Sequence, residues 1–279
     1  MHEISIGFSP CPNDTFIFDA LVHGKIDTNG VRFVPYIADV EELNTLALQG
    51  KLDCTKLSLH AFAHCVSHYS ILDSGSALGF NNGPLFICKK GNANSITNTS
   101  RIALPGKNTT AHLLFSIAYP NFMHKTHMLF SDIEQAISSG EVDAGVIIHE
   151  NRFTYAERGF EKILDLGTFW EQRTQCPVPL GTIAIHRNVP HSVAQTINSC
   201  IRESILFAQK NRDSSKQFIS FHAQEISEDV INQHINLFVN EFSVDLGKNG
   251  KYAIRKLFSE AALSGCIHEI SLDSIFLNP

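Results

Sequence analysis

Charge is scarce in this sequence, and neither sign is bunched. Only 18% of the 279 residues are charged, and the net charge is −6. No basic run extends beyond Lys89-Lys90, which speaks against a nucleic-acid partner and against an anionic membrane surface. No apolar run approaches the roughly 20 residues of a bilayer span. Met1-His2-Glu3 leads straight into strand-like sequence, without the basic start, apolar stretch and small-residue cleavage site of an export signal; a cytoplasmic location is expected. The seven cysteines are an odd number with no C-x-x-C spacing, which fits reduced thiols better than a disulfide framework or a zinc site.

Several catalytic signatures are also missing. There is no Gly-x-Gly-x-x-Gly, which disfavours a dinucleotide site. Gly75-Ser76-Ala77-Leu78-Gly79 is shifted by one from a nucleophile elbow. Phe153 stands where the second His of a His-Glu-x-x-His zinc motif would be, and the glycine spacing of a P-loop is absent around Gly106.

What is present is an alternation of strand-like and helical patterns, the mark of an α/β protein. Strands are predicted at 4–8, 31–37, 53–57, 83–89, 101–103, 126–130, 144–148 and 181–185. Helices are predicted at 14–23, 40–49, 59–67, 110–119, 133–139, 152–159 and 193–211. The tail, 228–264, reads as wholly helical, with Leu237, Phe238, Phe242, Val244 and Leu246 as its core. A weak repeat pairs Leu48-Gln49-Gly50-Lys51-Leu52-Asp53 with Ser138-Ser139-Gly140-Glu141-Val142-Asp143, about ninety residues apart. It marks either two similar lobes or merely a common helix-to-strand turn. A chain of this length can build two lobes with real cores. Residues 1–89 and 187–279 are expected to form the first, and 90–186 the second, with the strands beside residues 84 and 180 as candidate crossings.

Four segments carry candidate chemistry. Ser9-Pro10-Cys11-Pro12-Asn13-Asp14-Thr15 joins a strand to a helix. Asn13, Asp14 and Thr15 are good N-cap types, and a helix start at a strand's carboxyl end is a natural ligand corner. The same residues also make an ordinary proline-punctuated turn. Cys11, within that corner, is either a thiol of lowered pKa or a small structural residue. Thr55-Lys56-Leu57-Ser58 puts a charge at the end of an apolar strand, where Lys56 either meets a substrate carboxylate or snorkels to the lobe edge.

Pro105-Gly106-Lys107-Asn108-Thr109-Thr110 opens a helix. Thr109 and Thr110 there either bind an anion or cap the helix. His149, after the apolar strand 144–148, is either a general base at a cleft mouth or a hydrogen-bonded structural histidine. His60, His64 and His68 share a helical face, but their two-turn span and lack of an acidic ligand argue against a metal site.

In order along the chain, five segments resemble the 1,4-dihydroxy-6-naphthoate synthase family of the futalosine route to menaquinone. They are Gly7-Phe8-Ser9-Pro10-Cys11-Pro12-Asn13-Asp14-Thr15-Phe16-Ile17-Phe18, Thr55-Lys56-Leu57-Ser58, Gly83-Pro84-Leu85, Pro105-Gly106-Lys107-Asn108-Thr109-Thr110 and Gly145-Val146-Ile147-Ile148-His149-Glu150-Asn151-Arg152. The likeness runs from about residue 4 to about residue 265. It implies a type-2 periplasmic-binding-protein-like fold, two α/β lobes around a central cleft. It implies a carbon–carbon lyase that turns cyclic dehypoxanthine futalosine, a small carboxylated substrate, into 1,4-dihydroxy-6-naphthoate and dihydroxyacetone, with no metal or organic cofactor.

Matched position by position, the resemblance implies His149 as catalytic base and Lys56, Leu57, Ser58, Thr109 and Thr110 as substrate-binding residues. On that footing Asn13 and Ser58 are expected to hold hydroxyls of the sugar remnant, and Thr109 and Thr110 a carboxylate or developing oxyanion. The alternatives are a non-catalytic solute-binding protein of the same fold, which normally carries an export signal, and chorismate dehydratase of the same pathway.

Overall fold

The structure, a computed structural model, describes residues 2–223 and 227–278. The first part of the chain forms β1 (His2–Phe8), α1 (Pro12–Val22), β2 (Val31–Ile37), α2 (Val40–Leu48), β3 (Cys54–Ser58), α3 (Leu59–Cys65), β4 (Tyr69–Ile71) and β5 (Ala77–Gly79). The middle forms β6 (Leu85–Lys89), β7 (Ile102–Leu104), α4 (Thr110–Ala118), β8 (Lys125–His127), α5 (Ile133–Ser139), β9 (Ala144–Ile147), α6 (Asn151–Thr154), β10 (Phe160–Asp165) and α7 (Leu166–Thr174). The last part forms β11 (Val178–His186), α8 (His191–Lys210), α9 (Lys216–His222), α10 (Glu228–Phe238), α11 (Glu241–Val244) and α12 (Gly247–Leu263). None of these helices is long and apolar enough to cross a membrane.

The strands make two sheets. One has the order β2-β1-β3-β11-β4, with β5 also paired to β11; the other has the order β10-β6-β9-β7-β8. In the first, β1 runs parallel to β2 and β3, while β11 is antiparallel to β3. In the second, β7 is parallel to β8 and β9, and β6 is antiparallel to β9 and β10.

Strand pairing divides the chain differently from the lobes expected at 89/90 and 186/187. β6 pairs wholly within the second sheet, and β11 wholly within the first. The physical reason is edge matching. Gly181 to Ile185 find their partners on β3, and Leu85 to Cys88 find theirs on β9. The chain therefore crosses between sheets near residues 80–84 and 175–177. At the first crossing Gly83 lies so close to Gly167 that a Cβ on Gly83 would sit 2.2 Å from the Gly167 Cα. Only a residue without a side chain fits there.

Burial explains the elements around the cleft. Ile6 and Phe8 of β1 are fully buried, and Phe8 stacks on Phe18 of α1 with ring centroids 4.6 Å apart. Nearly every residue of α1 is buried, as for a helix enclosed on all sides. Ser204 of α8 reaches into it, donating to the Ile17 carbonyl and accepting from the Leu21 amide.

The tail expected to be helical is built of three helices, separated where Asn240 caps α11 and Asp245 ends it. Phe238 and Leu246 are buried as expected, while Leu237, Phe242 and Val244 are half-buried. β4, β5, β10, α7 and α9 have no counterpart in the sequence reading. β4 and β5 are only three residues long, and β10 mixes charges with apolar residues.

The expected His60–His64–His68 face does not form, because α3 stops at Cys65. His60 instead meets His64 and also His112 of α4, and His112 meets His127 of β8. Burial lowers the pKa of both His60 and His112 to about 4, with neighbouring imidazoles adding to the effect. In the unfolded chain these rings titrate near the ordinary value of 6.5. The unfolded chain thus binds more protons between about pH 6.5 and 4, so stability falls as pH falls through that window. His60→Gln should lose at least about 1 kcal/mol less stability than the parent between about pH 7 and 5, read from urea midpoints. Equal losses in both chains would show that this ring does not drive the acid sensitivity.

Candidate functional site

A cleft of about 110 Å³ lies between the sheets. Parallel strands β1 and β3 end at one wall, β7 and β9 at the other, so both sheets present their carboxyl ends to it. All seven residues singled out from sequence line this one space: Asn13, Lys56, Leu57, Ser58, Thr109, Thr110 and His149.

The β1–α1 corner is built around a charge. Cys11 is the N-cap of α1 and Pro12 follows inside the first turn, so Asn13, Asp14 and Thr15 are not the cap. Proline's fixed φ suits the first helical position, which moves the cap back by two residues. Asp14 folds back instead. Its carboxylate accepts from the Ser9 amide at 3.1 Å, the Ser9 hydroxyl at 2.7 Å and the Asn13 amide nitrogen at 2.8 Å. Lys56, from the end of β3, donates to the same carboxylate at 2.8 Å. The two side chains are only 8% and 2% exposed. Lys56 therefore neither snorkels outward nor stands as a free charge; its counter-ion is inside the protein.

Other side chains are also engaged. Ser58 accepts from Asn44 at 3.2 Å, which leaves its own hydroxyl proton to donate. Leu57 is fully buried in the core and borders the cleft. Thr109 caps α4 by accepting from the His112 amide, and donates to the Gly106 carbonyl. The Thr110 hydroxyl accepts from the Leu59 amide at 3.0 Å and donates to the Leu180 carbonyl. Both threonine hydroxyls are thus committed. What the start of α4 offers an anion is the main-chain amides of its first turn, which have no intrahelical acceptor.

The walls are tied together across the cleft. Glu41 of α2 accepts from the amide and side chain of Asn108, each at 2.9 Å. Gly106, at φ +93°, makes this approach possible, because a Cβ there would stand 2.8 Å from the Glu41 carboxyl carbon.

His149 follows β9 with φ +58°, a left-handed conformation uncommon outside glycine. Phe130 packs edge-on against its ring at 4.7 Å. Its Nδ1 lies 3.5 Å from the Cys11 sulfur, and its buried Nε2 has no partner among the described residues. Burial, then the nearby Glu150, pushes the Cys11 thiol well above its ordinary range, against the option of a lowered pKa at this corner. Donor atoms of Cys11, His149 and Glu150 lie within 4.8 Å of one another, a spacing open to a metal ion. A thiol that burial keeps protonated is a poor member of such a set.

Two cleft residues went unrecognised in the sequence. Arg152, one turn beyond His149, donates to the Gly83 carbonyl at 2.6 Å and lies 3.8 Å from Asp165. It belongs to a segment rich in signals, where its own role had no separate mark. His234, on α10, donates or accepts at 2.9 Å with Asn13, from 221 positions away in sequence. No local pattern announces such a contact.

A family model described as menaquinone biosynthesis matches residues 4–263. The 1,4-dihydroxy-6-naphthoate synthase of Thermus thermophilus is 41% identical over 265 residues, covering 95% of this chain and 96% of that protein. Its namesake from Streptomyces coelicolor is 36% identical over 277 residues, covering 98% and 97%. The crystal structure of protein AF1704 from Archaeoglobus fulgidus superposes with a TM-score of 0.90 at 33% identity, covering 95% of this chain and 99% of that one. The alkanesulfonate-binding protein SsuA from Xanthomonas axonopodis shares the fold alone, at TM-score 0.69 and 12% identity, covering 96% and 95%. The fold is thus that of the periplasmic binding proteins, two α/β lobes around a cleft.

The Asp14–Lys56 pair makes a direct prediction. Lys56→Met strands a buried carboxylate and should cost about 3–5 kcal/mol by urea unfolding, whereas adding Asp14→Asn should restore much of the loss. If the double variant is no more stable than Lys56→Met, the two groups are not coupled as described.

Proposed function

Because the chain belongs to this menaquinone-biosynthesis family and is an enzyme, we propose that it is a carbon–carbon lyase converting cyclic dehypoxanthine futalosine into 1,4-dihydroxy-6-naphthoate and dihydroxyacetone. The reaction is cytoplasmic and uses no metal or organic cofactor. The observation that carries this reading is His149: a strained backbone holds its ring on the cleft wall with Nε2 buried and unpartnered. Strain at a cleft residue persists only when the surroundings hold it there, which favours a working group over a passive one.

In this mechanism neutral His149 takes the substrate proton on Nε2. The Cys11 sulfur accepts from Nδ1–H and keeps the lone pair on the nitrogen that faces the substrate. Lys56 is neutralised by Asp14, so the substrate carboxylate goes instead to Arg152 and the first-turn amides of α4. The same donors stabilise negative charge that develops on oxygen during cleavage. Ser58 donates to a hydroxyl of the sugar remnant. Asn13, whose amide already serves Asp14 and His234, contributes at most its remaining N–H. The Glu41–Asn108 bonds hold the lobes together while water is excluded. Aromatisation of the naphthoate ring supplies driving force, so the protein needs one base and correct orientation.

The test is turnover. Pure protein with cyclic dehypoxanthine futalosine should release the naphthoate, and with chorismate should release nothing; the reverse, or ligand binding without product, would replace this reading by the dehydratase or the solute-binding one. His149→Asn tolerates the left-handed backbone and should lower kcat by about a hundredfold or more with KM little changed. Near-parental turnover in that variant removes His149 from the chemistry. Arg152→Met should instead raise KM by about tenfold or more, and an unchanged KM would place the carboxylate elsewhere.

A further inference from the structure

His234 is fully buried, lines the cleft, and plays no part in the mechanism above. Its proton can be located from its neighbours. The Asp14 carboxylate only accepts, so the Asn13 nitrogen must face it, as the 2.8 Å contact shows. The Asn13 oxygen is then the atom that meets His234 Nε2 at 2.9 Å, so Nε2 carries the hydrogen. A chain of contacts anchored on the buried Lys56–Asp14 pair thus sets the tautomer of a ring on another helix. Burial, and then the proximity of His149, Arg152 and Lys56, holds this imidazole well below its ordinary pKa, so it stays neutral. Nδ1 is left as a bare lone pair. It is buried and has no partner among the described residues. The ring lies nearly parallel to His149, at 21°, with centroids 6.2 Å apart, and both line the cleft.

We propose that His234 is a specificity-determining residue whose Nδ1 accepts a hydrogen bond from a hydroxyl of the sugar remnant of the substrate. An acceptor-only nitrogen repels carboxylate and carbonyl oxygens and takes only a donor. Across the cleft, Arg152 and the start of α4 present donors, while His149 Nε2 is reserved for the proton and Asp14 is already bonded to Lys56, Ser9 and Asn13. The site therefore has polarity: the carboxylate goes to the donors and the hydroxylated arm to α10. A substrate without that hydroxyl would leave the nitrogen buried and unpaired, which is how such a group discriminates.

The inference rests on the lyase reading, and two substitutions separate the roles of the ring. His234→Gln places an N–H near the Asn13 oxygen and removes the acceptor. His234→Asn returns an acceptor near the position of Nδ1 and gives up the Asn13 link. KM for cyclic dehypoxanthine futalosine should rise about tenfold or more in His234→Gln, with a smaller change in kcat. His234→Asn should recover most of that rise while lowering the urea midpoint. Nitrogen-15 spectra of the parent should show a bare Nδ1 signal that moves toward the hydrogen-bonded range when substrate binds to the His149→Asn variant. A parental KM in His234→Gln, or an equal rise in both variants, overturns the role of Nδ1 and leaves the lyase reading intact. Failure of the parent chain to release naphthoate overturns the lyase reading, and this inference with it.

Discussion

A buried carboxylate, Asp14, organises this protein. It takes hydrogen bonds from Ser9 and Asn13 and the ammonium of Lys56, and so joins the first strand, the first helix and the third strand at one point. Two charges removed from water are costly unless every lone pair is used, and here nearly all are. The consequence reaches past stability. Because Lys56 is neutralised by a close contact, the donors facing the cleft come from Arg152, whose partner Asp165 is more distant at 3.8 Å, and from a helix start on the same opposite lobe. Because Asn13 is held by Asp14, its oxygen is presented to His234. One ion pair thereby removes a free cation from its own wall of the cleft and fixes an acceptor there.

The α/β class and most helices were legible because they depend on local pattern, and the seven residues picked from local motifs all line the cleft. Apolar alternation marks β1, and an apolar run between turn residues marks β9. Cap residues and proline mark where helices start, although Pro12 shifts the cap of α1 to Cys11. What was not legible is set by long-range pairing. β6 and β11 read as strands, yet nothing within them states which sheet they join; that depends on partners tens of residues away. The commitment of the Thr110 hydroxyl is invisible for the same reason, since its partners Leu59 and Leu180 belong to distant segments. His234 is the extreme case, a lone histidine given meaning only by Asn13.

In the mechanism we propose, His149 is what lets a binding-protein scaffold carry chemistry. The fold supplies two lobes and a cleft, as it does in relatives that share only its architecture. The local departure is small: one residue after β9 in a left-handed turn, with its ring caught between Cys11 and Phe130. Two opposing walls hold that ring, so its position depends on both lobes being in register. In the proposed mechanism, base and binding groups therefore assemble only when the walls meet.

The late arrival of β11 also bears on how the chain is made. The strands of the second sheet all lie between Leu85 and Asp165, so that unit can close on itself as it leaves the ribosome. The first sheet cannot. β3 keeps one edge unpaired until Val178–His186 has been synthesised, more than a hundred residues later. During that interval the N-terminal strands present a bare hydrogen-bonding edge, and the insertion of a single strand both completes the sheet and closes the cleft wall.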